Sequence, residues 1–279
     1  MKAEIDQVIE RAHDARPSGA PLRNGLRRLR RAVDLLRSLT EADLRFRYGR
    51  GPSRVIRWLM EPFALVGVYL LLITFVLDRP GVAPGLSLTV AIVPFQLVIS
   101  TVGNAMEAVD VKRPILLNMA FDRNLIPVSS ALTECASFVA SFSIIVVMMA
   151  AYRIAPTVAI FWLPLVALVN VYLAVAAGYA ASLLGLWMRE LKPFLLSFVR
   201  MLFFLSPALV PLSQTSPEVR TLLRLNPLTG LFEAYRNIFL IGRAPEAWQL
   251  LYPMAIASAI LVVFLPLYRT EQTQFAKVV

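Results

Sequence analysis

The stretch AIFWLPLVALVNVYLAVAAGYAASLL, Ala159–Leu184, holds no charged residue. At a rise of about 1.5 Å per residue it is long enough for an α-helix to cross roughly 30 Å of hydrocarbon. Five further apolar runs lie around it: Trp58–Leu77, Leu86–Val102, Ala131–Tyr152, Pro193–Pro211 and Leu250–Tyr268. The runs at Leu86–Val102 and Pro193–Pro211 are short and contain Pro94 and Pro207, so kinks or broken helices are expected there. The pattern predicts an all-α, polytopic membrane protein with about six transmembrane helices.

The totals agree with that class. The chain has 279 residues, 58% hydrophobic and 16% charged, with a mean hydropathy of +0.66; an ordinary soluble domain carries about 25% charged residues. A net charge of +10 would suggest nucleic acid in a soluble protein, but in a membrane protein basic residues also gather on the cytosolic side. With the N-terminus inside, 21 Lys and Arg fall in cytosolic segments and 6 outside, with Arg200 inside a span. This asymmetry predicts that both termini are cytosolic. One cysteine, Cys135, leaves no internal disulfide, and one histidine, His13, has no second histidine to share a metal.

Residues 1–21 lack the apolar core of a signal peptide and are expected to be a flexible cytosolic N-terminus. Residues 22–57 read as an amphipathic interfacial region. Leu22, Leu26, Leu29, Val33 and Leu36 recur at spacings of four and three, with Arg27, Arg28, Arg30, Arg31 and Arg37 mostly on other faces. Thr40 can cap a short turn that Gly49 and Gly51 break. The following DLRFRYGRGPSRVIRWLMEPF, Asp43–Phe63, sets five arginines among aromatics. Such a pattern can grip phosphates and stack bases or lie among lipid headgroups. It runs without a linker into the first span, with Trp58 at headgroup level, which favours the interface.

The transmembrane domain, 58–279, contains two connections with structure of their own. The inner loop 111–127, VKRPILLNMAFDRNLIP, reads as a short helix opening at Pro114, either a plain connector or a docking element. The outer connection 212–249 contains RLNPLTGLFEAYRNIFLIG, too short in its apolar parts to cross a membrane and too apolar for a solvated loop. It predicts re-entrant half-helices before the last span, with Glu233 and Arg236 able to pair at i, i+3.

Chemistry on this chain is sparse. No lysine follows a glycine, so the GxxxxGK[ST] loop that cradles nucleotide phosphates is absent and any ATP is handled by another chain. Glu61, Glu107 and Glu134 have no obvious acidic or histidine partner in sequence and read as helix-end or interfacial salt-bridge residues. A membrane glycosyltransferase or acyltransferase would need a carboxylate cluster or a histidine at a membrane face. Arg200 either faces a water-filled path or snorkels to the cytosolic headgroups. Its neighbours Phe194, Phe198, Phe203 and Phe204 either pack, face lipid, or offer ring faces to sugars.

Three stretches taken together resemble the membrane subunit of type-2 ABC exporters of polysaccharides, the family that moves O-antigen, capsule, teichoic acid and galactan chains. They are EADLRFRYGRGPSRVIRWLMEPF, with Arg47, Tyr48, Trp58, Glu61 and Pro62; WMRELKPFLLSFVRMLFFLSPALVP, ending in Ser206-Pro207; and LNPLTGLFEAYRNIFLIG, with Asn226, Pro227, Tyr235 and Arg236. Val55 and Ile56 replace the Leu-Gly pair usual before the tryptophan. The resemblance implies a permease in the bacterial cytoplasmic (inner) membrane, working as a homodimer with two ABC ATPase subunits that bind ATP and Mg. No cofactor is implied on this chain. The cargo would be a lipid-linked glycan, with membrane lipids as further partners and no nucleic acid.

It also implies roles for single residues. Trp58, Phe63, Tyr69, Phe198, Arg200, Phe203 and Phe204 would line the substrate path. Arg113, Pro114, Leu117, Phe121, Arg123 and Arg189 would couple to the ATPase, and Asn226, Pro227, Glu233, Tyr235 and Arg236 would form an outer gate. A drug or lipid exporter of the related type is the nearest alternative.

Overall fold

The computed structural model describes residues 21–48, 60, 63–64, 66–68, 71, 83–111, 123–188, 190, 192–208 and 210–271. Its described helices are α1 (Pro21–Tyr48), α2 (Pro84–Val111), α3 (Leu125–Ala151), α4 (Leu163–Trp187, entered through a 3-10 turn at Val158–Trp162), α5 (Lys192–Phe204), α6 (Pro217–Arg224), α7 (Pro227–Arg236) and α8 (Ala247–Glu271). The fold is all-α, as the apolar periodicity predicts. Four of the described helical segments are long and apolar enough to cross a membrane: Pro84–Ala108, Leu125–Ala151, Val158–Trp187 and Ala247–Glu271. Of the other two expected spans, the run 58–77 lies mostly outside the described residues. The run 193–211 is helical only to Phe204.

Helix α2 is the centre of the bundle. Its apolar window is 78% buried against 17% for α8, because α4 and α3 pack on it from two sides. Close approach of α4 to α2 depends on Gly185, where an added Cβ would lie 2.6 Å from the Met106 carbonyl oxygen. Pro94 interrupts the ladder inside α2, and the Asn170 amide of α4 donates to the Pro94 carbonyl at 3.3 Å. The outward faces stay apolar: Val139 and Val146 on α3, Leu168 on α4, and Leu251 and Val262 on α8 are exposed. That is the pattern of a bundle solvated by acyl chains.

Hydrogen bonds mark the two ends. At one, called upper below, the Gly85 N–H at the start of α2 donates to the Tyr152 hydroxyl just past α3 at 3.2 Å, and Gly242 lies against Thr157. At the lower end the hydroxyls of Tyr179 and Tyr268 donate to the Asn124 and Arg123 carbonyls at 2.8 and 3.3 Å. The two tyrosine rings meet edge to face with centroids 5.5 Å apart.

Three sequence expectations change near the N-terminus and in α3. Thr40 does not cap a new turn; α1 runs through it to Tyr48, supported by the i, i+4 pair of Glu41 and Arg45. Helix α1 packs on α3, with Leu39 buried and the Thr133 hydroxyl donating to Asp43 at 3.5 Å. Val33, expected on the apolar stripe, is 54% exposed. Glu134 is buried, and its carboxylate accepts from the Asn104 amide of α2, so it is an interhelical link rather than a helix-end charge.

Candidate functional site

Helix α5 stops short. Its 13 residues give a rod of about 20 Å, less than the roughly 30 Å of a bilayer core. The chain then turns through 205–208, with the Ser206 hydroxyl donating back to the Phe203 carbonyl at 2.5 Å. Pro207 contributes no N–H to this turn. Ser206 and Ala208 are nonetheless buried, so the carbonyls freed by the break need donors from elsewhere.

Those donors come from α7. Asn226 is its N-cap, with the Leu228 N–H donating to Asn226 Oδ1 at 3.0 Å, and Pro227 occupies the first turn, where a missing N–H is harmless. The amide nitrogen of Asn226 donates to the carbonyls of Leu202 and Leu205 at 2.6 and 3.0 Å. One side chain thus caps the start of α7 and the end of α5 together.

Ten residues on, Arg236 is only 2% exposed. Its guanidinium donates to Glu233 Oε1 at 2.6 Å, to Ser87 Oγ of α2 at 2.9 Å and to the Ala208 carbonyl at 2.8 Å. Glu233 also accepts from the Leu212 N–H at 3.3 Å. The planar fork of arginine suits several fixed acceptors at once. Four separate chain segments meet at this one ion pair.

The far side of α7 lies against α8. An added Cβ on Gly230 would sit 2.7 Å from the Gln249 carbonyl oxygen, so glycine permits the contact. The buried Gln249 side chain accepts from the Asn237 amide at 3.1 Å and from the Glu246 N–H at 3.0 Å, tying the π-helical turn at Asn237–Ile241 and the loop after it to α8. Outside α7, the short α6 is held by Arg224 over the Trp248 ring at 5.1 Å and by Tyr252, whose hydroxyl donates to the Leu225 carbonyl at 2.7 Å.

The sequence-predicted residues fall as follows. Asn226, Pro227, Glu233, Tyr235 and Arg236 come together on or beside α7, with Tyr235 fully buried and its ring 6.4 Å from Phe142. On α5, Phe198, Arg200 and Phe204 are exposed, together with Phe194 and Met201. Phe203 points the other way, packing on Phe95 at 4.6 Å and on Phe232 at 6.0 Å. Beside the lower part of α5, Met106, Leu184, Phe194, Leu195 and Phe198 line an apolar cavity of about 240 Å³. Phe63 is exposed, and Arg123 sits in the turn that leads into α3. Trp58, Tyr69, Arg113, Pro114, Leu117, Phe121 and Arg189 lie outside the described residues.

Sequence reading did not single out Ser87, Ala208 or Gln249. Ser87 and Ala208 carry no local signal, since they act as acceptors for a residue far along the chain. Gln249 stands one position ahead of an apolar run, and that placement was the available hint.

The fold and site define an all-α polytopic membrane protein in which a short buried helix caps the end of a broken one. No family model matches the chain. Over most of its length it is similar to proteins named O-antigen export system permease protein RfbA. It is 28% identical over 246 residues to that of Myxococcus xanthus, covering 87% of this chain and 94% of that protein. Identity to one from Klebsiella pneumoniae is 24% over 247 residues, covering 88% and 95%; for a second from that organism it is 23% over 210 residues, covering 75% and 81%. The resemblance to the permease subunits of type-2 ABC exporters is thus carried by nearly the whole chain, not by three short stretches alone.

Proposed function

We propose that this chain is the permease subunit of an ATP-driven exporter that moves a lipid-linked polysaccharide outward across the bacterial cytoplasmic membrane. Two copies would form the path, and two ABC ATPase subunits, binding ATP and Mg, would drive it. The observation that carries this reading is the near end-to-end similarity to proteins named as O-antigen export permeases.

The geometry supports a division of labour. The lower end, where Arg123 leads into α3, would face the cytosol and the ATPase, with the loop 111–127 as the docking element. The upper end would face outward, with α6 and α7 as the outer gate. The exposed face of α5, with Phe198, Arg200 and Phe204, would offer ring faces and one positive charge to a sugar chain. Phe203 belongs to the packing behind that face. ATP-driven closure of the partner subunits would shift such a dimer between two states.

Co-purification with an ABC ATPase subunit, followed by glycan export in a strain deleted for this chain, tests the proposal. The expected result is a stable complex and restored export of surface glycan. A chain that captures no ATPase and restores no export would overturn it.

A further inference from the structure

We infer that Arg236 is a latch, a positioning residue that locks the unwound end of α5 to α7 and keeps the upper end of the path shut. The inference rests on the gating role proposed above and names the device that would operate it. Three of its acceptors lie on different parts of the chain: Ser87 in the first turn of α2, the Ala208 carbonyl in the break after α5, and Glu233 on α7 itself. Glu233 extends the tie to the Leu212 N–H.

Two properties make this a latch rather than ordinary packing. The Ala208 carbonyl lies in a segment with no regular helix to hold it, so Arg236 supplies a bond that the ladder no longer can. The ion pair is also buried, with side-chain exposures of 3% for Arg236 and 13% for Glu233. Separating α5 from α7 therefore strips an apolar site of several charge-assisted bonds together, which makes the change all-or-none. Asn226 lies nearby with a parallel role, holding Leu202 and Leu205, but it carries no charge.

The chain's single cysteine makes the test direct. Cys135→Ser removes it, and Ala208→Cys then reports on the break, because Ala208 is 1% exposed and bonds to Arg236 only through its backbone. Labelling by a membrane-impermeant maleimide is measured on cells carrying the full chain and its ATPase, with Val219→Cys on α6 as the exposed reference. With Arg236 intact, position 208 is expected to stay protected. With Arg236→Ala its labelling is expected to rise by about 100-fold to 1,000-fold, the shift that losing one partner of a buried pair produces, while Ala181→Cys, buried in the lower half of α4, stays protected. Arg236→Lys, a point charge without the fork, is expected to label nearly as fast as Arg236→Ala.

Protection of position 208 in the Arg236→Ala background, or equal exposure of positions 208 and 181, would overturn the latch. If Arg236→Ala does not reach the membrane, Ser87→Ala and Glu233→Gln carry the test: intermediate labelling supports the latch and unchanged labelling overturns it. Glycan export by the parent strain is scored separately, so a protein with a working latch that moves no glycan would refute the export reading and leave the latch standing.

Discussion

Asn226 does two things with one amide, and they can be separated. As an N-cap, asparagine and aspartate are nearly equal, so Asn226→Asp would be close to neutral if capping α7 were its whole role. Its amide nitrogen, however, holds the carbonyls of Leu202 and Leu205, and a carboxylate there can only repel them. Asn226→Asp is therefore expected to destabilise the detergent-solubilised protein by about 1–3 kcal/mol, the usual loss when buried polar groups go unpaired. Thermal unfolding checks this, and an unchanged midpoint would reduce Asn226 to an ordinary cap. Gly230→Ala is a second case: a Cβ at 2.7 Å from the Gln249 carbonyl oxygen must push α7 off α8, with an expected loss of about 1–3 kcal/mol on the same assay. Arg200 is exposed on α5, so Arg200→Ala is expected to leave stability unchanged and to lower export of the glycan several-fold. Unchanged export would place its charge among the headgroups rather than in the path.

Between residue and molecule, α5 and α7 explain what the sequence could and could not reveal. The long apolar runs that became α2, α3, α4 and α8 were legible because hydrocarbon demands uninterrupted apolar helix, a constraint written in every residue. The buried α7 was partly legible, since Asn226-Pro227 announces a helix start and Glu233 and Arg236 share a face. Their shared partners were not. Ser87 and Arg236 are separated by 149 positions, and no local periodicity encodes a contact that only the packed bundle creates. The early stop of α5 was hinted by Pro207, but the position of the stop depends on donors supplied by Asn226 and Arg236. A similar long-range tie holds the lower end, where Tyr179 and Tyr268 bond successive carbonyls at the exit of the loop 111–127. If that loop receives the ATPase, Tyr179→Phe with Tyr268→Phe keeps the ring contact but frees the turn, and ATP hydrolysis is expected to continue while export falls several-fold. Normal export per ATP in the double variant would remove the lower tie from force transmission.

For the whole molecule, the long helices α3, α4 and α8 expose apolar faces, while an arginine, a glutamate and several amides are buried within. That distribution inverts the soluble plan and fits a protein whose outer solvent is lipid. Its polar interior lies between elements that would have to separate for a chain to pass, whereas α2 and α4 are locked by close contact at Gly185. Motion is therefore expected at the α5–α7 seam and not in the central pair. Reconstitution decides whether this chain forms the path for a polysaccharide driven by a separate ATPase. Purified permease and its co-purifying ATPase are placed in vesicles loaded with labelled lipid-linked glycan, and exposure of the sugar on the far side is followed with and without ATP. The export reading predicts translocation that requires ATP, Mg and both subunits together. Translocation unaffected by removing this chain, or none when both subunits are present and ATP is being hydrolysed, would contradict it.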